Sequence, residues 1–195
     1  MTENGSDKGG WHNYTTLYFP LFSPSRDESL RVFELGLGTN NADVDSNMGA
    51  MGVPGASLRG WTRFFPKASV FGADIDARIL FEADRIKTFQ CDQTDPDSIK
   101  RLWENADLRE NFDIIIEDGL HEFAANKCFF ENSIHKLRDK GYFIIEDLDK
   151  RLWKDYEELL ATWRRQYPAL RIELVDIPSL LPDQVSNVLV VAHKI

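Results

Sequence analysis

"FDIIIEDGLHEF", residues 112–123, is the stretch of sequence that decides the fold. Its three consecutive isoleucines predict the middle of a strand buried on both faces, as in a parallel sheet. The apolar run then ends in polar residues, because Glu117 and Asp118 follow directly and His121 comes three residues later. Ligands of open parallel sheets bind outside the carboxyl ends of the strands. The stretch therefore predicts a buried strand with a functional site at its end.

Around this strand, apolar β-branched segments alternate with amphipathic ones. Strands are predicted at 31–38, 69–76, 86–92, 112–119, 141–147, 170–177 and 187–194, and helices at 56–65, 95–106, 122–138 and 150–167. Alternation over the first five strands predicts a parallel, doubly wound α/β sheet. Only residues 178–186 separate the last two strands, which is too short for a crossover helix and predicts an antiparallel pair.

One Rossmann-like domain is therefore expected at 31–195, preceded by an aromatic arm at 1–30. Within the arm, Trp11, Tyr14, Tyr18 and Leu21 fall at roughly helical spacing. The arm is expected to be a helix that packs on the sheet edge, or alternatively a lid. The Gly/Asn/Asp-rich segment 37–55 is predicted to be a long loop, and loops longer than about 12–15 residues are usually functional or disordered.

The charge balance disfavours several classes of partner. The chain of 195 residues carries 32 acidic and 23 basic side chains, a formal net charge of −9, and the basic residues are scattered. Nucleic-acid binding depends on clustered basic residues, so neither nucleic acid nor an anionic membrane is an expected partner. Two isolated cysteines, an N-terminus without an apolar signal region and the lack of a membrane-spanning run predict a cytoplasmic protein.

The ends of the first three strands resemble parts of a nucleoside site. Gly36 allows a tight turn with a close approach to a ligand, although the segment is not a full GxGxxG motif. Asp74 is suited to the two hydroxyls of a ribose, and Asp92 and Gln93 to an adenine amine. Asp76 is interpreted instead as the cap of a helix formed by "ARILFEAD", and Asp95 as the cap of the helix at 95–106.

Acidic residues also end the fourth and fifth strands. Asp118 ends one strand, and Glu146 and Asp147 end its expected neighbour. Adjacent strands lie about 4.8 Å apart, so these carboxylates can converge. Magnesium relieves such repulsion and keeps other coordination positions for water or substrate, which leaves His121 as a base. The structural alternatives are that Asp147 or Asp149 caps the next helix, that Glu117 is solvated, and that His121 is structural.

Taken in order, the motifs resemble those of class I S-adenosylmethionine-dependent methyltransferases. More narrowly, the chain resembles the magnesium-dependent sugar O-methyltransferases of the macrocin and mycinamicin type and related bacterial glycan methyltransferases. The matching segments are "SDKGGWHNYTTLY", "VFELGLGT", "GASLRGW", "VFGADID", "TFQCDQTD", "FDIIIEDGLHEF" and "GYFIIEDL". They span residues 6 to about 148, and the last two are the most specific.

This resemblance implies an enzyme that uses S-adenosylmethionine and Mg²⁺ to methylate a sugar hydroxyl of a glycosylated metabolite or glycan. The residues it implies for the cofactor are Glu34, Gly36, Ser57, Asp74, Asp92 and Gln93, with the Lys8 region as a weaker candidate. It further implies Asp118, Glu146 and Asp147 as metal ligands and His121 as general base. Leu120 departs from the family pattern, which has a small polar residue there.

Three other functions are weighed against this one. A nicotinamide oxidoreductase would need a full GxGxxG. A non-haem iron hydroxylase would need two histidines and a carboxylate on one face, and only His121 is expected there. A non-catalytic nucleotide-binding module is the third. The acceptor and the oligomeric state, including a homo-oligomer, stay open at this stage.

Overall fold

The computed structural model describes residues 1–10, 12–178 and 187–195. Within them, the strands are β1 Arg31–Leu35, β2 Ser69–Asp74, β3 Glu82–Ala83, β4 Ile86–Gln90, β5 Phe112–Glu117, β6 Leu137–Ile145, β7 Leu170–Asp176 and β8 Val188–Lys194. They form one mixed sheet in the order β3-β4-β2-β1-β5-β6-β8-β7. β4, β2, β1, β5 and β6 are parallel, and β8 is antiparallel to both β6 and β7. The predicted sheet of five parallel strands with an antiparallel C-terminal pair is confirmed.

Five α-helices accompany the sheet in the described part of the chain. They are α1 Thr15–Phe22, α2 Ala56–Phe64, α3 Pro96–Glu104, α4 Phe123–Ser133 and α5 Trp153–Gln166. Asp95 caps α3 as predicted, since its carboxylate accepts the Asp97 N–H at 2.9 Å and Pro96 occupies the first turn. Asp149, rather than Asp147, caps the short 3-10 turn before α5 by accepting the Arg151 N–H at 2.9 Å.

One predicted element was wrong, and a second was slightly too long. The segment after Asp76 forms only a 3-10 turn, and β3 then pairs with β4 as a hairpin across Asp84 and Arg85, with Arg85 at a φ of +59°. The Thr88 hydroxyl fixes this hairpin through both backbone groups of Phe81, at 2.6 Å each. The helix predicted at 122–138 ends earlier, because Leu137 already pairs with Phe112 in the sheet.

Side chains of β5 show why the strand sequence is continuously apolar. Ile114 and Ile116 pack in the core layer on one face of the sheet, whereas Phe112 and Ile115 pack in the layer on the other. Both faces are thus covered, as the isoleucine run predicted. Among the described residues, no helix combines the length and apolar character needed to cross a membrane.

The aromatic arm packs into one of these core layers. Tyr18 and Phe22 of α1 contact Trp61 of α2, with ring centroids 5.6 and 6.0 Å apart. The predicted arm helix therefore exists but starts at Thr15, after Tyr14, while Trp11 lies outside the described residues. A lid function of the arm and the boundary between 1–30 and 31–195 stay predictions.

Candidate active site

A cavity of about 980 Å³ opens at the carboxyl ends of the parallel strands. Several predicted site residues line it: Gly36, Ser57, Asp74, Asp92, Gln93, Asp118, His121 and Asp147. Glu34 and Glu146 are instead completely buried. Their carboxylates are bonded to other side chains of the protein. Apart from Glu34 and Glu146, the residues predicted for the cofactor and for the metal therefore share one cavity.

Gly36 makes the convergence of the strand ends possible. Its φ of +89° is in the left-handed region, and a Cβ at this position would come within 1.9 Å of the Asp118 carbonyl oxygen. Only glycine tolerates both conditions. The Gly36 N–H donates to the Ala73 carbonyl at 2.8 Å, and the Asp118 N–H donates to the Leu35 carbonyl at 2.9 Å. The turn thereby joins the ends of β2, β1 and β5.

Asp74 supports this turn from the end of β2. Its carboxylate accepts the Leu37 N–H at 2.7 Å and the Asp76 N–H at 2.8 Å. Burial raises the pKa of Asp74, although these backbone donors oppose the shift. The carboxylate predicted to bind ribose therefore borders the cavity and also braces the glycine turn.

Asp76 anchors the loop at 37–55, in addition to capping its own 3-10 turn. Thr39 and Asn41, at the start of this loop, each donate to Asp76 Oδ2 at 2.6 Å. Arg78 donates to Asp76 Oδ1 at 2.6 Å. The hydrogen bonds from Arg78 and Thr39 hold the pKa of Asp76 well below its usual range. The carboxylate therefore stays ionised and ties the loop to β2.

Ser57 and Asp92 contribute polar groups to other parts of the cavity wall. Ser57 is the second residue of α2, and the helix begins directly after Gly55, which has a φ of +70°. Asp92 follows β4, and its Oδ1 accepts both the N–H and the hydroxyl of Thr94, at 2.8 and 2.6 Å. These contacts fix the orientation of the Asp92 carboxylate at the cavity.

Gln93 borders the cavity too, but its amide group is bonded within the protein. Its Nε2 donates to Glu117 Oε1 at 2.9 Å, and its Oε1 accepts the Leu120 N–H at 2.8 Å. Glu117 is fully buried and accepts further hydrogen bonds from the Gly119 N–H at 3.1 Å and the Asn126 amide at 2.9 Å. The alternative of a solvated Glu117 was wrong.

Asp118, His121 and Asp147 form a compact group with potential metal ligands. One ligand atom from each lies within 4.8 Å of the other two, and His121 Nε2 is 4.0 Å from Asp118 Oδ1. Their side chains are 21%, 35% and 18% exposed, so the group is open to the cavity. Burial raises the pKa of Asp118 to about 7, with Lys8 and His121 opposing it. Two carboxylates and an imidazole at this spacing fit a divalent cation.

Both loops that carry this group contain a residue in the left-handed region. His121 has a φ of +59° and Asp147 a φ of +56°. Such values are uncommon for residues other than glycine, and strained backbone clusters at functional sites. Surrounding hydrogen bonds must therefore hold these two loops in place.

Lys8 is the cation that compensates the buried acids. Its side chain is 1% exposed, and its Nζ donates to Asp118 Oδ2 and, at 2.5 Å, to Glu146 Oε2. Glu34 Oε1 lies 3.6 Å from the same nitrogen. Burial acts to lower the pKa of Lys8, but these three carboxylates outweigh it and raise the pKa well above its ordinary value. The ammonium is therefore charged.

Three more arm side chains reach acids at the end of β6, namely Asp147 and Glu146. His12 Nδ1 lies 3.0 Å from Asp147 Oδ1, to which the Tyr14 hydroxyl also donates. The Tyr18 hydroxyl donates to Glu146 Oε1. Burial opposes ionisation of Asp147, but His12 outweighs it and the pKa of Asp147 is lowered. His12 is thus a second histidine near the site, yet it lies outside the compact group of described residues.

Glu146 occupies a different position from Asp147. Its oxygens are bonded to Lys8 and Tyr18, and burial raises its pKa well above the ordinary value. Glu34 is similarly enclosed, since its Oε2 accepts the Trp61 indole N–H at 2.5 Å. The structure therefore brings Asp118 and Asp147 together with His121, and it places Glu146 with Glu34 around the Lys8 ammonium.

The arm and Glu117 contribute more to the site than their sequence predicted. Lys8 was only a weak candidate, and Tyr14, Tyr18 and Glu117 had no assigned role at the site. The polar residues of "SDKGGWHNYTTLY", spaced along an otherwise aromatic arm, were the available signal. Their partners lie more than 100 positions away, which the local pattern does not encode.

Comparison with known proteins supports the assignment of the fold. No family model matches the chain. The chain superposes on the MycE methyltransferase from the mycinamycin biosynthetic pathway, solved in complex with Mg and SAH, with a TM-score of 0.74 and 23% identity. This alignment covers 99% of the present chain and 53% of MycE. At this identity, the likeness establishes the fold.

Curated relatives establish the family. The chain is 35% identical over 154 residues to 8-demethyl-8-alpha-L-rhamnosyl tetracenomycin-C 2'-O-methyltransferase of Streptomyces olivaceus, covering 79% of this chain and 38% of the relative. It is 32% identical over 148 residues to mycinamicin VI 2''-O-methyltransferase of Micromonospora griseorubida, covering 76% and 34%. The chain thus spans little more than a third of these relatives. It belongs to their family, the sugar O-methyltransferases within the class I S-adenosylmethionine-dependent methyltransferases.

Proposed function

We propose that the chain transfers a methyl group from S-adenosylmethionine to a hydroxyl of a sugar on a small glycosylated molecule, with the aid of Mg²⁺. The observation that carries this proposal is the compact group of Asp118, His121 and Asp147, which opens into the cavity lined by the nucleoside-type residues. Relatives named for methylation of rhamnosyl and olivosyl groups support the sugar as acceptor.

S-adenosylmethionine would occupy the part of the cavity along the ends of β1, β2 and β4. The volume of about 980 Å³ is at the upper end of the range of about 300–1,000 Å³ for ligand pockets. In this arrangement Gly36 allows the close backbone approach, Asp74 faces the ribose and Asp92 the base, with Ser57 near the methionine end. Glu34 contributes indirectly, because its carboxylate is bonded to Trp61 and close to Lys8.

Asp118 and Asp147 are the residues proposed to hold Mg²⁺. Both carboxylates are partly exposed, and oxygen ligands in small number suit an ion that keeps positions for water and substrate. The bound ion would act as a Lewis acid and a template for the sugar hydroxyls. Glu146, the third ligand implied by the family resemblance, would act on the site through Lys8, which bonds to both Glu146 and Asp118.

His121 is proposed to accept the proton of the sugar hydroxyl. Its Nε2 is the ring nitrogen near Asp118, whereas Nδ1 is buried and has no hydrogen-bond partner among the described residues. Bound S-adenosylmethionine would supply the methyl group from its sulfonium and leave as a thioether, and the His121 imidazole would take the proton of the hydroxyl that accepts the methyl. Holding the two reactants in line supplies much of the rate.

Features of the whole chain fit a small acceptor. The net charge of −9 disfavours nucleic acid, and a cytoplasmic location and a homo-oligomeric state stay predictions. An iron hydroxylase would require two histidines and a carboxylate as common ligands, and His12 lies outside the compact group of the described residues. A non-catalytic nucleotide-binding module is the remaining alternative.

The test is calorimetric titration of S-adenosylmethionine, and separately NAD, with and without Mg²⁺, followed by methyl transfer to rhamnosylated acceptors. Binding of S-adenosylmethionine but not NAD, and Mg²⁺-dependent turnover, are expected. Binding without turnover on any sugar acceptor would favour the binding module. No binding of S-adenosylmethionine would refute the proposal.

A further inference from the structure

Gln93 has an unusual position for a residue expected to contact adenine. Both the nitrogen and the oxygen of its amide form hydrogen bonds within the protein. Nε2 donates to Glu117 Oε1 at 2.9 Å, and Oε1 accepts the Leu120 N–H at 2.8 Å. A base could bond only to the second N–H of Nε2 or the second lone pair of Oε1, because the two protein bonds already fix the direction of the amide. The amide is therefore directed toward the turn that carries Asp118 and His121, although it forms part of the cavity wall.

Glu117 completes the connection from the other side of the turn. Its Oε1 accepts hydrogen bonds from Gln93 Nε2 and the Gly119 N–H, and its Oε2 accepts one from the Asn126 side-chain amide on α4. The carboxylate is 0% exposed. Two consecutive backbone N–H groups, those of Gly119 and Leu120, are thus held by the Glu117–Gln93 pair.

Close packing also restricts the backbone conformation of this turn, in addition to these hydrogen bonds. A Cβ on Gly119 would come within 1.8 Å of Gln93 Oε1, so the backbone lies directly against the amide. The turn then enters His121 in the left-handed region, at a φ of +59°. Strained conformations persist only where the surroundings impose them. Here the Glu117–Gln93 pair supplies that constraint.

We infer that Gln93 and Glu117 are positioning residues, which fix the 118–121 turn so that Asp118 and His121 meet the metal and the acceptor in the geometry for reaction. The inference rests on the proposed function for its kinetic consequence. If the inference holds, substitution of Gln93 mainly lowers kcat, whereas the loss of a contact with the adenine base would mainly weaken the affinity for the cofactor. Since Gln93 lines the cavity, it also connects the cofactor region to the catalytic turn.

The decisive variant is Gln93→Ala. A positioning role predicts that kcat falls by about 10- to 100-fold, because misplacement of a reacting group by about 1 Å can cost 100-fold. The Kd of S-adenosylmethionine should change by less than about threefold. Gln166→Ala, an exposed site at the end of α5, is the matched control and should change neither quantity. A weaker cofactor affinity with an unchanged kcat would overturn the inference.

Glu117→Gln is the conservative variant. Glutamine can still accept from Gly119 and Gln93 and can donate to Asn126 Oδ1, which has no partner among the described residues, once the Asn126 amide rotates. This variant should retain kcat within about threefold, whereas Glu117→Ala should lose it as Gln93→Ala does. An equal loss of kcat in Glu117→Gln and Glu117→Ala would contradict the inference that Glu117 acts through its hydrogen bonds.

Two measurements separate this inference from the proposed function. Hydrogen exchange at the Leu120 amide should accelerate in Gln93→Ala, because its acceptor is removed, and Mn²⁺ binding followed by electron paramagnetic resonance should weaken. Neither readout needs methyl transfer. If the unmodified chain fails to bind S-adenosylmethionine while both readouts change, the proposed function fails and the positioning role stands. Unchanged exchange and Mn²⁺ affinity would refute the positioning role.

Discussion

Replacement of Lys8 by methionine tests the buried charge network directly. The ammonium is 1% exposed and bonded to Asp118 and Glu146, the latter 0% exposed, with Glu34 at 3.6 Å. Methionine has a similar length and fills the space but carries no charge. The variant therefore removes the cation and leaves the acids enclosed.

The expected cost is much larger than that of a surface ion pair. Removing one partner of a buried pair typically costs about 3–5 kcal/mol, because the other charge stays buried without compensation. For a chain of this length, each kcal/mol lowers Tm by about 2–4 °C, so Tm should fall by roughly 6–20 °C. The loss should be smaller at pH 5 than at pH 8, since burial already raises the pKa of Glu146 and protonation removes its charge.

Urea unfolding, monitored by tryptophan fluorescence with metal chelated, measures the difference in unfolding free energy between the variant and the unmodified chain. Lys87→Met is the matched control, since Lys87 pairs with Asp107 at 2.9 Å with both side chains about half exposed, and such pairs contribute about 0–1 kcal/mol. Combining Lys8→Met with Glu146→Gln should recover part of the loss. The reasoning is refuted if Lys8→Met costs no more than Lys87→Met.

Three further predictions concern the site. His121→Ala should keep the affinity for S-adenosylmethionine and lose about 100-fold or more in kcat; unchanged turnover would remove His121 from the mechanism. Asp118→Asn should abolish the dependence of activity on Mg²⁺, and full activity in a chelator would exclude the metal site. Without metal, Tm should fall between pH 5.5 and pH 8. Burial raises the pKa of Asp118 from 3.8 to about 7. Burial acts to lower the pKa of His12, but the hydrogen bond to Asp147 outweighs it and raises that pKa above 6.5. The folded state therefore binds more protons than the unfolded state and loses stability as the pH rises. His12→Gln should flatten the part of this curve above pH 6.5, and a flat wild-type curve would contradict both assignments.

Much of the scaffold could be predicted because its signals are local. The isoleucines of β5, the Asp95 cap and the short link before β8 each encode their structure within a few residues. One failure concerned an element boundary, and the other concerned the type of element. Leu137 belongs to β6 because Phe112 pairs with it, and the segment predicted as a helix after Asp76 instead supplies β3, which pairs with β4. Each outcome depends on a partner that the local pattern does not contain.

The sequence by itself determined the order of the elements, the glycine turn at Gly36 and the carboxylates at the strand ends. Tertiary structure decided which of these carboxylates act together. Glu146 and Asp147 are adjacent, but their side chains point in different directions, one to Lys8 and the other to His12 and the cavity. Lys8 reaches Asp118 across 110 positions, because the folded arm brings its ammonium to the carboxylates at the strand ends and the charges then compensate one another.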